Sequence, residues 1–302
     1  MGEIVLECKN LHKNFGKKNI IKNVSTKLSS GEILGFIGPN GAGKTTTIKM
    51  ILGLQSIDSG EVRINGLDIK KDFEKAIEKV GAIVENPDLY MYLSGYKNLK
   101  LIANLYKNID KSRIDEVVKM VGLEARINDK VSKYSLGMRQ RLGIAQAILH
   151  KPNILILDEP TNGLDPEGIR ELRNLLIKLA KEENMAILIS SHNLAELDSF
   201  CTSVCIIQNG EVISTKAIEE LKEEASSHIT IFKVDNTDKI LELFENVEIL
   251  NKQDFSIKAS EEETSEIVKK LVESNIKVYG IKEENITLED AFLKKTGGNK
   301  IV

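Results

Sequence analysis

The apolar positions along the chain change period several times, and each change marks an element. Ile4–Cys8 alternates apolar and polar residues, the pattern of a half-buried strand. Ile33–Ile37 is a short apolar run ending at Gly38 and predicts a buried strand. Lys44–Leu54 turns to helical spacing and meets a stop at Gly53. Gly60–Ile64, which turns at Asn65-Gly66, and Val80–Val84 are strand-like. Leu93–Tyr106, Lys111–Val121 and Gly137–Leu149 carry apolar residues at helical spacing, and Pro152 closes the last. Ile154–Leu157 is the most hydrophobic strand. Glu167–Ala180 reads as an amphipathic helix, and Ala186–Ser190 and Val204–Gln208 as strands. Asn209-Gly210 predicts a tight hairpin into Val212–Ser214. Alternating strands and helices predict an α/β domain over residues 1–215.

Beyond residue 225 the pattern becomes strand-helix-strand-strand-helix-strand. The segments are Ile229–Val234, Thr237–Phe244, Val247–Leu250, Ser256–Ala259, Glu262–Ser274 and Ile276–Ile281, with a last helix over Thr287–Lys295. That order predicts a small α+β, ferredoxin-like unit over 226–302, joined by a linker over 216–225. Charge changes at the same place. There are 29 basic and 26 acidic residues up to residue 215, then 13 basic and 19 acidic.

Composition narrows the function classes. Net charge is −3, which argues against a nucleic-acid binder. The longest apolar runs are strand-sized, far below the ~20 residues of a membrane span. Met1–Asn10 carries Glu3 and Glu7 and no apolar core, so no secretory leader is expected. Cys8, Cys201 and Cys205 form neither a disulfide framework nor a metal pattern, as in a reducing compartment.

The chemistry concentrates in a few strings. Gly38-Pro39-Asn40-Gly41-Ala42-Gly43-Lys44-Thr45 fits the phosphate-loop pattern G-x-x-x-x-G-K-[ST], with Thr46 behind it. Its glycines let successive backbone N–H groups wrap a phosphate, and the following helix aims its dipole there. Lys44 adds a point charge, and Thr45 offers a hydroxyl to Mg²⁺. Ile154–Leu157 delivers Asp158-Glu159 to the sheet's carboxyl edge. There Asp158 can hold Mg²⁺, and Glu159 can take a proton from attacking water. By itself, Ser135–Gln140 is a plain helix N-cap, and a lone histidine such as His192 is usually structural.

In motif order, residues 1–215 resemble the ABC-transporter ATPase subunits. The resemblance rests on the phosphate loop, Ser135-Leu136-Gly137-Met138-Arg139-Gln140, Asp158-Glu159-Pro160-Thr161, Asn162-Gly163-Leu164-Asp165 and His192. It implies ATP and Mg²⁺ as cofactors, and a dimer in which Ser135 and Gly137 face ATP held by the other subunit. Glu159, His192 and Lys44 would be catalytic, Asp165 would communicate across the dimer, and Phe15 would stack on adenine. It also implies integral-membrane permease partners and a cytoplasmic, membrane-peripheral location. Glu85 replaces the family's usual Gln and would lie near Mg²⁺. Glu85 and Ser-Leu-Gly-Met are similar to exporters of the bacitracin-resistance and lantibiotic-immunity subgroup. Tyr90, Tyr92, Tyr96 and Tyr106 lie where the family docks its permease. An importer subunit is the alternative. A soluble ABC ATPase is a further one, although the chain holds a single cassette and no coiled-coil insertion.

Overall fold

A computed structural model describes residues 2–225 and 229–283. Between Ala217 and Ile218 the chain divides into two compact units. The first contains β1 (Ile4–Phe15), β2 (Lys18–Ser29), β3 (Ile33–Ile37), α1 (Lys44–Ile51), β4 (Ser59–Ile64), β5 (Leu67–Asp68), α2 (Phe73–Ile77) and β6 (Val80–Ile83). It continues through α3 (Gly95–Ala103), α4 (Lys111–Met120), α5 (Leu136–Ile148), β7 (Ile154–Asp158) and α6 (Pro166–Glu182). It ends with β8 (Ala186–Ser191), α7 (Leu194–Asp198), β9 (Ser203–Gln208) and β10 (Glu211–Ala217).

Its ten strands run in the order β5-β4-β1-β2-β10-β9-β3-β8-β7-β6. The β9-β3-β8-β7-β6 stretch is parallel throughout. Every residue of β3, β7 and β8 is buried, as expected of parallel strands covered on both faces. Register then fixes the functional geometry. Ile37 pairs with Ser191, and Asp158 with Ser190. The residues that follow β3, β7 and β8 therefore emerge side by side at one carboxyl edge, where ligands sit in such sheets.

The helical segment of residues 86–150 is locked by two arginines. Arg113 of α4 donates from Nη2 to Ile148 O (2.7 Å) and from Nε to Leu149 O (3.1 Å), at the end of α5. Arg141 of α5 returns the contact, donating to Val121 O (3.1 Å) and Gly122 O (3.2 Å) at the end of α4. Each guanidinium thus donates to carbonyls at a helix end, where intrahelical donors run out; Ile148 O also accepts from the Lys151 N–H.

The second unit contains α8 (Ile218–Ala225), β11 (Ile229–Val234), α9 (Ile240–Leu243), β12 (Val247–Ile249), β13 (Asp254–Lys258), α10 (Glu261–Glu273) and β14 (Val278–Glu283). Its antiparallel sheet has the order β12-β13-β11-β14, the arrangement of a ferredoxin-like split βαβ unit. Phe232 stacks on Phe255 (5.1 Å) in a core of its own.

Some expectations need correction. β2 was not anticipated, because its ladder with β1 is repeatedly bulged and blurs the alternation. Residues 216–225 are not a linker: they finish β10 and form α8, which buries Ile218 and Leu221. The helix expected over Thr237–Phe244 shortens to Ile240–Leu243. The helix expected over 287–295 lies outside the described residues.

Candidate functional site

The phosphate loop links β3 to α1. Gly43 adopts φ +106, and a Cβ there would lie 2.5 Å from Ile21 Cδ1, so only glycine fits. Lys44 opens α1 and is buried; its Nζ donates to Gly38 O at 2.7 Å. The same ammonium lies 3.2 Å from Glu159 Oε1. The other carboxylate oxygen of Glu159 lies 2.7 Å from His192 Nδ1. One carboxylate thus bridges the phosphate-loop lysine and the histidine after β8.

Glu159 is held there by its backbone. It adopts φ +49, and its N–H donates to Ser190 Oγ at 2.9 Å. Ser190 Oγ donates in turn to Asp158 Oδ1 at 2.6 Å, both side chains being buried. A cavity of about 400 Å³ opens over this group, lined by Asn40, Gly41, Lys44, Thr45, Glu159 and His192 among others. That volume suits a small-molecule ligand. A larger cavity of about 690 Å³ lies against α10 in the second unit. Its lining mixes Glu and Lys side chains around Phe244 and has no phosphate cradle, so size alone does not mark it as the site.

The ABC transporter family profile matches residues 21–162. The chain is 47% identical over 299 residues to the uncharacterized ABC transporter ATP-binding protein YhcH of Bacillus subtilis (strain 168). That alignment covers 98% of this chain and 97% of the relative. The chain belongs to the ABC transporter ATP-binding family. It is also 38% identical to the bacitracin transport ATP-binding protein BcrA of Bacillus licheniformis, over 98% of this chain and 99% of that one. A solved ATP-binding subunit of an ABC transporter superposes with a TM-score of 0.65 at 32% identity, over 73% of this chain and 92% of that one. As a member of this family the chain is an ATP-hydrolysing subunit.

Within this ABC fold the expected residues fall into two groups. Asn40, Gly41, Gly43, Lys44, Thr45, Thr46, Glu159 and His192 line one cavity. Phe15, Gly38, Pro39, Ala42, Glu85, Ser135, Gly137, Asp158 and Asp165 are not among its lining residues. Ser135 caps α5, accepting from Met138 N at 3.2 Å, and is exposed. Asp165 caps α6, accepting from Gly168 N at 2.9 Å. Phe15 ends β1 with its ring half exposed. Glu85 adopts φ +66, and its carboxylate lies 2.9 Å from Lys49 Nζ on α1. Both side chains of this pair are exposed, and the opposite charge of Lys49 accounts for the pairing.

Three residues were given no role from the sequence. Ile20 and Asn162 line the cavity, and Ser190 joins Asp158 to Glu159. Ser190 carried a legible signal, a hydroxyl at the end of an otherwise apolar strand, and Asn162 stood in the string Asn162-Gly163-Leu164-Asp165. Ile20 carried none.

Mg²⁺ fits the donor set. Thr45 offers a hydroxyl and Asp158 a carboxylate, both hard oxygen ligands. Among the described residues no group of three or more His, Cys, Asp or Glu side chains could cage a metal. Mg²⁺ characteristically takes one or two protein oxygens plus substrate phosphates, so a cage is not required.

Proposed function

We propose that the chain binds MgATP in the phosphate-loop cavity and hydrolyses it between two copies, driving export of a peptide antibiotic through permease partners. The observation that carries the reading is the Glu159 carboxylate, 3.2 Å from Lys44 and 2.7 Å from His192, all three lining that cavity. A triphosphate entering the loop competes with Glu159 for Lys44 and releases the carboxylate toward water. Glu159 then positions the water and takes its proton. Thr45 and Asp158 would hold Mg²⁺, which would supply charge neutralisation. With Nδ1 engaged by Glu159, His192 keeps Nε2 for the terminal phosphate. Ser135 and Gly137 sit on an exposed helix start, as a surface reaching ATP on a second copy requires.

The described residues contain no helix long and apolar enough to cross a membrane. Translocation through a bilayer then needs membrane partners, and the region after Glu85 suits docking one. Tyr90 and Tyr92 are exposed and meet edge to face at 6.0 Å. Buried Asn98 fixes Tyr90 through bonds to its N–H (2.8 Å) and carbonyl (3.1 Å). Exposed aromatics on a fixed backbone are suited to interfaces. Tyr106 instead stacks on His150 at 4.9 Å, so part of its area is internal packing.

The peptide-antibiotic substrate rests on the bacitracin relative, on Glu85 and on the Ser-Leu-Gly-Met signature. Its test is bacitracin and lantibiotic challenge of cells carrying either the native chain or Lys44→Ala. The variant strain should become sensitive to one of these peptides. Equal survival under both classes contradicts the substrate assignment.

A further inference from the structure

The end of β1 is tied to the loop before β4 by contacts that the phosphate chemistry does not use. The Lys13 side chain is only 7% exposed. Its Nζ donates to Ser56 Oγ and to Asp58 Oδ1, both at 2.8 Å. Asp58 Oδ2 accepts from the Asn14 backbone N–H (2.7 Å) and from Asn14 Nδ2 (3.3 Å). The Asp58 N–H donates to His12 O at 3.1 Å. The Lys13 ammonium and the Asn14 N–H hold the Asp58 carboxyl below its usual range. Lys13 Nζ also stands over the Phe15 ring, 5.5 Å from its centroid. The β1–β2 ladder shifts register between Leu11 and Lys13 and again between Lys13 and Asn14, although Asn14 still pairs with Asn19 and Phe15 with Lys18.

We propose that Lys13 and Asp58 are positioning residues that pin Phe15 as a base-stacking platform with a cation at its back. The proposal rests on reading Phe15 as the adenine platform. A cation over one face draws π-density toward itself and leaves the opposite face less negative. Such a face stacks well on an electron-rich purine. The pin therefore favours the base and has no bearing on the phosphates.

The test uses the full chain and displacement of a fluorescent ATP analogue by ATP or by magnesium tripolyphosphate, which has no base. Asp58→Asn should weaken ATP binding roughly three- to tenfold, the size of a single ring contact. Tripolyphosphate binding should not change, and KM for ATP should rise while kcat holds. Phe15→Ala should weaken ATP binding, and adding Asp58→Asn should then do nothing more. If Asp58→Asn alone folds poorly because Lys13 is left unpaired, Lys13→Met with Asp58→Asn removes the buried charge and should show the same base-selective loss. Equal losses for ATP and tripolyphosphate would overturn the pin. So would an Asp58→Asn effect that persists without Phe15. Unchanged ATP affinity in Phe15→Ala overturns the platform reading itself, whereas a loss there with none in Asp58→Asn overturns only the pin.

Discussion

Glu159 holds a left-handed backbone at φ +49, which costs a non-glycine residue about 1–2 kcal/mol. The surrounding structure supplies the compensation. Its N–H is taken by Ser190 Oγ, and its carboxylate by Lys44 and His192. Ser190 also donates to Asp158, so one buried hydroxyl sets the position of both acidic residues. Ser190→Ala should lower kcat about 10- to 100-fold, the usual cost of losing a partner of this kind. It should also raise the Mg²⁺ concentration that half-saturates hydrolysis. A Mg²⁺ titration of ATPase activity reads both effects, and an unchanged curve contradicts the role. His192 is joined to the site, while the Ser135 side chain makes, among the described residues, the ordinary N-cap bond.

Among elements, the parallel strands were the most legible. β3, β7 and β8 are apolar at nearly every position because both their faces are covered, and that run survives in the sequence. The phosphate loop was legible because its chemistry admits few alternatives at Gly43, Lys44 and Thr45. β2 was not, since bulges interrupt its alternation. Nor was the left-handed turn of Glu85 toward Lys49, because nothing in residue type announces a positive φ at glutamate. The α4–α5 clamp was equally silent, since Arg113 looks like an ordinary surface helix residue until its guanidinium is seen buried. Arg113→Ala removes the donor to Leu149 O and one of two donors to Ile148 O, at the end of the helix that starts at Ser135. It should cost about 2–3 kcal/mol of stability, given charge-assisted hydrogen bonds of this kind. A urea midpoint within error of the native chain would rule out that contribution.

Across the whole molecule, each of the two units has its own apolar core. The charge shift near residue 216 tracks the division, although β10 runs to Ala217 and α8 follows directly. The chemistry belongs to the first unit, where register brings the ends of β3, β7 and β8 together. All three cysteines are buried and free, and burial raises their thiol pKa, with Cys205 pushed up to about 11. They therefore act as core residues. Under the proposed function, Glu159 drives hydrolysis of MgATP held between two copies. Sedimentation of Glu159→Gln with saturating MgATP tests this. The variant should run at twice the 33.6 kDa chain mass and stay there, because ATP that is not cleaved keeps the two copies together. A species of single-chain mass under those conditions would contradict the claim.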